Sequence, residues 1–178
     1  MTSGAPSGRW QQLLMADAYF SRQLRYAEKP GPLRRVAIVL AHSGDSWYWG
    51  LGLAAAWVFG PPEWQFVAPR LLVGIGGLAV LVLAVKRLIR RQRPAGEWGG
   101  IYRATDPHSF PSGHAARMAL LVVLAAAWGP GWFAWLLIIW APLVALARVA
   151  MGVHYLSDIV GGAVVGVTVA ALLVAFWP

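Results

Sequence analysis

The chain has 178 residues, of which 58% are hydrophobic and only 12% are charged, and it contains no cysteine. Its apolar residues fall in blocks long enough to cross a bilayer, which takes about 20 residues per helix, so the composition predicts an integral membrane protein rather than a soluble one. The lack of cysteine excludes disulfides, cysteine-ligated zinc and a thiol nucleophile, whereas the net charge of +8, placed beside apolar blocks, favours anionic headgroups or phosphates over nucleic acid as partners.

The first predicted element is an amphipathic helix over residues 10–29. Apolar side chains between Trp10 and Leu24 combine with Arg22, Arg25 and Lys29 at a spacing typical of a helix that lies at the membrane interface. A Pro-Gly-Pro sequence ends it. No continuous apolar stretch stands close behind a basic start, so no cleaved signal peptide is expected. We therefore divide the chain into an N-terminal interfacial segment, residues 1–35, and a transmembrane domain, residues 36–178.

Five apolar segments follow, separated by stretches that contain proline or glycine. The third is short unless it begins at Pro111, a residue type suited to the first turn of a helix. The sequence therefore predicts an all-α membrane protein, a bundle of about five transmembrane helices preceded by the interfacial helix. Their approximate bounds are 36–59, 68–90, 111–128, 132–150 and 156–177.

The distribution of basic residues predicts the orientation of this bundle. With five crossings, the N-terminus lies on the same side as the second and fourth connections between helices. Of the 15 Lys and Arg residues, all except Arg70 lie on or near that side. The positive-inside rule places it in the cytoplasm. Because the Arg- and Ala-rich composition suggests a bacterial source, we expect the chain in a bacterial inner membrane.

Three polar clusters fall at this same predicted face, where polar groups beside membrane helices are costly and need an explanation. In the first, Lys86 and Arg93 are seven positions apart, or two helical turns, so they are expected to point the same way before Pro94 ends the helix. One interpretation is a basic flank that binds lipid headgroups. The other is a pair of cations directed at a single anion.

The second cluster is the sequence SFPSGHAA, residues 109–116, at the start of the third apolar segment. If Pro111 begins the helix, Ser112 and Gly113 lie in its first turn, where backbone N–H groups without intrahelical partners bind phosphate. His114 then lies beside the bound anion. A helix cap followed by an interfacial histidine is the alternative.

The third cluster contains Arg148, His154 and Asp158. If both are helical, Asp158 lies one turn after His154 and accepts its Nδ1–H, which fixes the tautomer and leaves Nε2 free as a nucleophile. Arg148 adds a fork-shaped phosphate donor. A structural His–Asp pair is the alternative. Together the clusters supply three cations, a helix N-terminus and two histidines, which meets the charge demands of phosphoryl transfer without a metal or another cofactor.

These clusters resemble the three motifs of the type 2 phosphatidic acid phosphatase superfamily, which are K-x6-RP, PSGH and SR-x5-H-x3-D. Order, internal spacing and placement beside helices all match over residues 36–177. The Ser that usually precedes the third-motif Arg is Ala147 here, so we expect reduced or retuned activity at most. The matching positions are Lys86, Arg93 and Pro94, then Pro111 to His114, then Arg148, His154 and Asp158.

The resemblance implies a role for each matching residue. His154 corresponds to the nucleophile that forms a phosphohistidine, Asp158 to the residue that orients it, and His114 to the general acid that protonates the leaving alkoxide. The phosphate-binding set corresponds to Lys86, Arg93, Ser112, Gly113 and Arg148. The residues alone do not rank His154 above His114 as nucleophile, although the Asp158 partner favours it.

Three further polar residues, His42, Asp45 and His108, are candidates for contacts with the substrate headgroup. A polar helix start or a kink at Gly44 is the alternative explanation for the first two. The Gly162–Gly166 spacing permits close helix packing, either within the chain or in a homo-oligomer.

The sequence thus predicts a metal-independent membrane phosphatase whose partners are its lipid phosphate substrate and membrane lipids. The first expectation is a phosphomonoester of a phospholipid, of the phosphatidic acid, phosphatidylglycerophosphate or phosphatidylinositol phosphate class. A polyprenyl phosphate or diphosphate is the alternative, with undecaprenyl diphosphate leading if the site faces outward. A lipid phosphotransferase and a non-catalytic protein that binds or transports lipid phosphates are the remaining alternatives.

Overall fold

The computed structural model describes residues 8–104 and 106–177, without the side chain of Arg103. The described residues form eight helices. Three of these are long and apolar enough to span a membrane, namely α4 (Pro62–Ile89), α7 (Gly131–Ala150) and α8 (Leu156–Phe176). A shorter apolar helix, α6 (Gly113–Trp128), lies among them and packs against all three. The helices are α1 (Arg9–Gln23), α2 (Pro32–Ser43), α3 (Ser46–Phe59), α4 (Pro62–Ile89), α5 (Glu97–Arg103), α6 (Gly113–Trp128), α7 (Gly131–Ala150) and α8 (Leu156–Phe176).

The centre of the bundle is the contact between α6 and α8. Gly162 and Gly166 of α8 face α6. The space that a side chain would need at each glycine is occupied by the α6 backbone, at the carbonyl groups of Ser112 and Ala116. The small-residue spacing therefore serves packing within the chain, as in many membrane helix pairs. This contact fixes the start of α6 against the start of α8, where two of the polar clusters lie.

The first predicted span, residues 36–59, is wrong as a single helix. It breaks at Gly44 and Asp45 into α2 and α3, because Asp45 is extended and precedes the first turn of α3. The break is held by side chains from elsewhere in the bundle: Arg117 donates to the Gly44 carbonyl, and Trp140 Nε1 donates to Ser43 Oγ at 2.9 Å. The kink considered at Gly44 is therefore present, and it lies beside α6.

Among the other helix boundaries that differ from the prediction, two lie at the polar clusters. The fourth helix ends at Ile89, and Arg90 adopts a left-handed conformation with φ of 53°. Lys86 and Arg93 therefore converge because the chain turns back after the helix, and not because they share a helical face. The sixth helix begins at Gly113 rather than Pro111, because Ser112 is its N-cap and its Oγ accepts a hydrogen bond from Ala115 N at 3.5 Å.

The amphipathic helix predicted at the N-terminus is present as α1, although it ends at Gln23 rather than residue 29. Its outer face carries exposed apolar side chains, of which Trp10 is 70% exposed. Its inner face reaches the start of α8, where Asp17 Oδ1 accepts from Ser157 N at 3.0 Å and Ser21 Oγ accepts from Leu156 N at 2.9 Å. The helix therefore supplies caps for two of the N–H groups that begin α8.

Candidate active site

A cavity of about 610 Å³ opens where α4 ends and α6 begins. One wall is apolar and comes from α4, with Leu78 and Val82 among its side chains, and the other wall is polar. A cavity with these two walls suits an amphiphilic ligand that has a charged head and an apolar tail. The polar residues that line it are Lys86, Arg87, Tyr102, Asp106, His108, His114, Arg117, Arg148 and His154.

His154 lies on the loop between α7 and α8, so the condition that both His154 and Asp158 are helical is not met. Its side chain is nevertheless beside Asp158, with 3.4 Å between Nδ1 and Oδ2. Among the described residues Nδ1 has no hydrogen-bond partner, although the carboxylate lies this close. Catalytic hydrogen bonds are often loose without substrate and tighten when it binds.

The ring of His154 is held in its neutral form by its surroundings. Only 1% of the residue is exposed. This burial lowers the pKa of His154 well below its ordinary value, and the nearby guanidinium and ammonium groups lower it further. The Nε2 atom lies 3.3 Å from Nη1 of Arg93, at the polar wall. A neutral imidazole with Nε2 beside a cation suits nucleophilic attack on a phosphate that the cation binds.

Asp158 is the most strongly fixed group of the site. It is fully buried, and its Oδ2 accepts from Tyr155 N at 2.8 Å. Its Oδ1 accepts from Arg91 Nη1 at 2.7 Å, and its own carbonyl accepts from Ser112 N at 3.0 Å. These contacts tie the carboxylate to the start of α6 and to the loop after α4.

The three predicted cations all lie close to His154, although they come from three separate elements, and Lys86 and Arg148 line the polar wall. Lys86 is 5% exposed, Arg93 3% and Arg148 1%. Arg148 donates through Nη1 to the Tyr102 hydroxyl at 3.0 Å, whereas its Nε has no partner among the described residues. A buried guanidinium with unused donor capacity, facing a cavity, suits a tetrahedral oxyanion.

Asp106 is a site residue that the sequence analysis missed. Its carboxylate accepts hydrogen bonds from Lys86 Nζ and from Arg93 Nη2, the latter at 2.8 Å. Burial opposes its ionisation, but the hydrogen bond from Lys86 and the charges of both cations outweigh that and lower the pKa of Asp106. The carboxylate therefore occupies two of the cations that were expected to bind phosphate. An acidic residue in a polar stretch carries no periodic signal, so nothing in the sequence marked it.

Arg91 and Asp17 were also missed, and together they connect α1 to the site. Arg91 bridges Asp158 and Asp17, with Nη2 donating to Asp17 Oδ2 at 2.6 Å. Burial raises the pKa of Asp17, but hydrogen bonds from Ser157 and Arg91 outweigh it and lower that pKa overall. The sequence shows only a basic run after α4 and a single carboxylate on an amphipathic helix.

The start of α6 brings two predicted residues to the cavity and keeps one away from it. Gly113 and His114 line the cavity. Ser112 is fully buried, with its N–H donated to Asp158 and its Oγ used as the helix cap. In this conformation Ser112 holds the helix start in place, and the first-turn N–H groups that follow it are nearest to a bound anion.

The three candidates for headgroup contacts lie in different places. His108 lines the cavity and accepts from Lys86 Nζ through its backbone carbonyl at 2.9 Å. His42 lines a second, mostly apolar cavity of about 670 Å³ between α2, α3 and α7. Asp45 lies between the two histidines, His42 and His114, and is hydrogen-bonded to both.

Within residues 8–104 and 106–177, no three His, Asp or Glu side chains are grouped closely enough to hold a metal ion. The arrangement instead offers a buried imidazole, a second imidazole and several cations around one cavity. These groups can attack a phosphorus atom, protonate a leaving oxygen and neutralise the equatorial oxygens.

Comparison with known proteins places this geometry in a family. The family model described as the PAP2 superfamily matches residues 68–178. Decaprenylphosphoryl-5-phosphoribose phosphatase of Mycobacterium tuberculosis is 33% identical over 159 residues, which cover 85% of this chain and 84% of that protein. "Probable lipid phosphate phosphatase beta" of Arabidopsis thaliana is 28% identical over 193 residues, covering 92% and 90%.

A solved structure supports the same fold. It is the transmembrane PAP2-type phosphatidylglycerolphosphate phosphatase of Bacillus subtilis, which superposes with a TM-score of 0.74 and covers 93% of this chain and 86% of that one. Its sequence identity is 23%, so the likeness concerns the fold.

Proposed function

This chain belongs to the PAP2 superfamily and is a phosphoric monoester hydrolase, and from this premise we propose that it hydrolyses a lipid phosphomonoester through a phosphohistidine on His154. The observation that carries the proposal is the environment of that imidazole. Its Nε2 lies beside Arg93, and His154 lines the same cavity as Lys86 and Arg148. A non-catalytic phosphate-binding protein would need the cations but not a buried nucleophile among them.

The reaction proceeds in two steps. In the first, Nε2 of His154 attacks phosphorus, and His114 donates a proton to the leaving oxygen as its bond to phosphorus breaks. In the second, water attacks the phosphohistidine and gives its proton to His114, while the electron pair of the N–P bond returns to Nε2. Arg148, Lys86 and the first-turn N–H groups of α6 neutralise the phosphoryl oxygens in both steps.

The leading substrate class is a phosphomonoester carried on a polyprenyl-linked sugar. This proposal is supported by the relative from Mycobacterium tuberculosis, whose name gives decaprenylphosphoryl-5-phosphoribose as its substrate. A phosphomonoester of a phospholipid is the second candidate, supported by the relative named a lipid phosphate phosphatase. The apolar wall of α4 accepts either type of chain, because its side chains offer only non-directional contacts.

The site is proposed to face the cytoplasm of a bacterial inner membrane. The basic residues around the cavity mouth support this, because Arg90 and its neighbours lie at the same end as the site, whereas Arg70 lies towards the other end of α4. The cysteine-free chain permits a direct test. A membrane-impermeant maleimide applied to intact spheroplasts should label Gln65→Cys and spare Arg90→Cys. The reverse pattern would place the site outside and favour undecaprenyl diphosphate.

Phosphate release by the purified protein tests the activity itself. We expect release from a polyprenyl phosphosugar phosphate or from phosphatidic acid, in the presence of EDTA, and none from His154→Ala. Arg35→Ala is the control, since Arg35 is exposed and lies outside the residues that line the cavity. Rapid acid-free quenching with labelled substrate should trap a phosphohistidine that is stable to alkali. Turnover that persists in His154→Ala would refute the mechanism, and turnover lost to EDTA would refute metal independence.

A further inference from the structure

The break between α2 and α3 places one carboxylate between two imidazoles. Asp45 Oδ1 lies 2.7 Å from His114 Nε2, and Asp45 Oδ2 lies 2.9 Å from His42 Nδ1. His114 lines the catalytic cavity, and His42 lines the neighbouring apolar one. None of the three phosphatase motifs includes His42 or Asp45, so this chain of hydrogen bonds is a feature of the structure beyond them.

We propose that Asp45 is a positioning residue for the general acid His114, an inference that rests on the proposed phosphatase function. A histidine has two ring nitrogens, and Asp45 engages Nε2. The nitrogen that can give a proton to the leaving oxygen is therefore Nδ1. The carboxylate fixes which nitrogen donates and how the ring is turned.

The carboxylate also supplies the charge that a general acid needs here. To donate a proton and keep one on Nε2, His114 has to be an imidazolium before the first step. Burial, Arg148 and Arg117 all disfavour that positive form, whereas the hydrogen bond and the charge of Asp45 favour it. Asp45 therefore offsets part of this cost, and the negative charge of a bound phosphate offsets more.

The position of Asp45 relative to His114 is fixed by the packing of the break. A side chain at Gly44 would lie 2.9 Å from His114 Cδ2 and 2.7 Å from Val144 Cγ1, so the backbone itself rests against the ring. Arg117, one turn after His114, donates to the Gly44 carbonyl and ties the break to α6. The bond from His42 then holds the second carboxylate oxygen.

Asp45 remains ionised through both reaction steps. In the first, the Nδ1–H of His114 passes to the bridging oxygen as the P–O bond breaks and the N–P bond forms on His154. His114 is left neutral, with its Nε2–H still donated to Asp45. In the second, the oxygen of water bonds to phosphorus as the N–P bond breaks and its electron pair returns to His154 Nε2, while a proton of the water passes to Nδ1 of His114 and restores the imidazolium.

The test compares two leaving groups, because only a poor one needs an acid. An alkoxide from phosphatidic acid leaves with a proton, whereas p-nitrophenolate is stable as an anion. We expect Asp45→Asn to lower kcat on phosphatidic acid by about 100-fold, the lower range for general acid catalysis. Its kcat on p-nitrophenyl phosphate should fall by about tenfold or less. His42→Gln should show the same contrast at smaller size, and Asp45→Glu should restore part of the loss.

Ser46→Ala is the matched control, because Ser46 is the exposed neighbour at the start of α3, and it should show no contrast between the substrates. Equal losses on both substrates in Asp45→Asn, or no loss on either, would overturn the positioning role. Wild-type protein that is inactive on both of these substrates and also on a polyprenyl phosphosugar phosphate would overturn the proposed phosphatase function and this inference with it. Activity of the variant on p-nitrophenyl phosphate also shows that it is folded.

Discussion

His154 can act as a nucleophile only when its ring is neutral, and its surroundings in the structure favour the neutral form. The ring is buried beside three cations, and its pKa lies well below the ordinary value of about 6.5. A lowered pKa means that the neutral form persists as the pH falls through 6.5 and is lost only at lower pH. The nucleophile is therefore available across the physiological range.

We expect 15N-histidine NMR spectra to show His154 still neutral as the pH falls through the ordinary histidine pKa of about 6.5. The chain has only four histidines, so His154→Gln assigns the signal. Arg148→Met removes one of the cations and should move the titration of His154 upward. A His154 signal that titrates near pH 6.5 in the wild type would contradict this account.

Asp106 competes with the substrate for Lys86 and Arg93, so its removal should strengthen anion binding. We expect Asp106→Asn to lower the inhibition constant of inorganic phosphate by about tenfold, which corresponds to about 1.4 kcal/mol. The backbone carbonyl of residue 106 still accepts from Arg93 Nε in this variant. Glu97→Gln is the control, because Glu97 pairs with Arg34 away from the cavity. Weaker phosphate inhibition in Asp106→Asn would show that the carboxylate organises the cations instead.

At the scale of the elements, the main feature is that α1 caps α8. Asp17→Ala removes a cap on Ser157 N and the partner of Arg91, which itself holds Asp158. We expect a loss of about 1 kcal/mol in the free energy of unfolding, typical of an N-cap, and a lower kcat. Ser21→Ala removes a cap without touching Arg91, so it should lower stability alone. Thermal melting and steady-state kinetics measure both, and an unchanged kcat in Asp17→Ala would contradict the link.

The same elements show what the sequence can predict. Long apolar runs indicated α4, α7 and α8, because burial in lipid depends on composition over many residues. The motif spacing indicated His154, His114 and the three cations as one group. The break before α3 could not be placed within the bundle from local sequence, since Arg117 and Trp140, far along the chain, hold it.

The site residues that the sequence missed share one property. Asp17, Arg91 and Asp106 each act through a partner distant in the chain, and a single acidic or basic residue carries no periodicity. Asp45 was noticed, but its bond to His114 joins positions 69 apart, which only the folded bundle brings together. Local pattern therefore predicts elements and motif residues, whereas the contacts that orient them depend on tertiary packing.

For the whole molecule, the cation wall has a consequence for folding. Two of the three buried cations, Lys86 and Arg93, share Asp106 as their ion-pair partner, and the Nε of Arg148 has no partner among the described residues. Charge removed from water without full pairing destabilises the native state. The unliganded enzyme should therefore melt at a lower temperature than its phosphate-bound form. At a phosphate concentration of 100 times the Kd, binding should raise the free energy of unfolding by about 2.7 kcal/mol.

Arg148→Met should raise the melting temperature of the unliganded protein and abolish the increment from phosphate, whereas exposed Arg35→Met should change neither. Equal melting of the wild type with and without saturating phosphate would contradict this. The protein is therefore least stable in its unliganded state, which is the state that binds substrate. Phosphate, the product, preserves the protein during purification and storage, and its removal before an assay exposes the protein to inactivation.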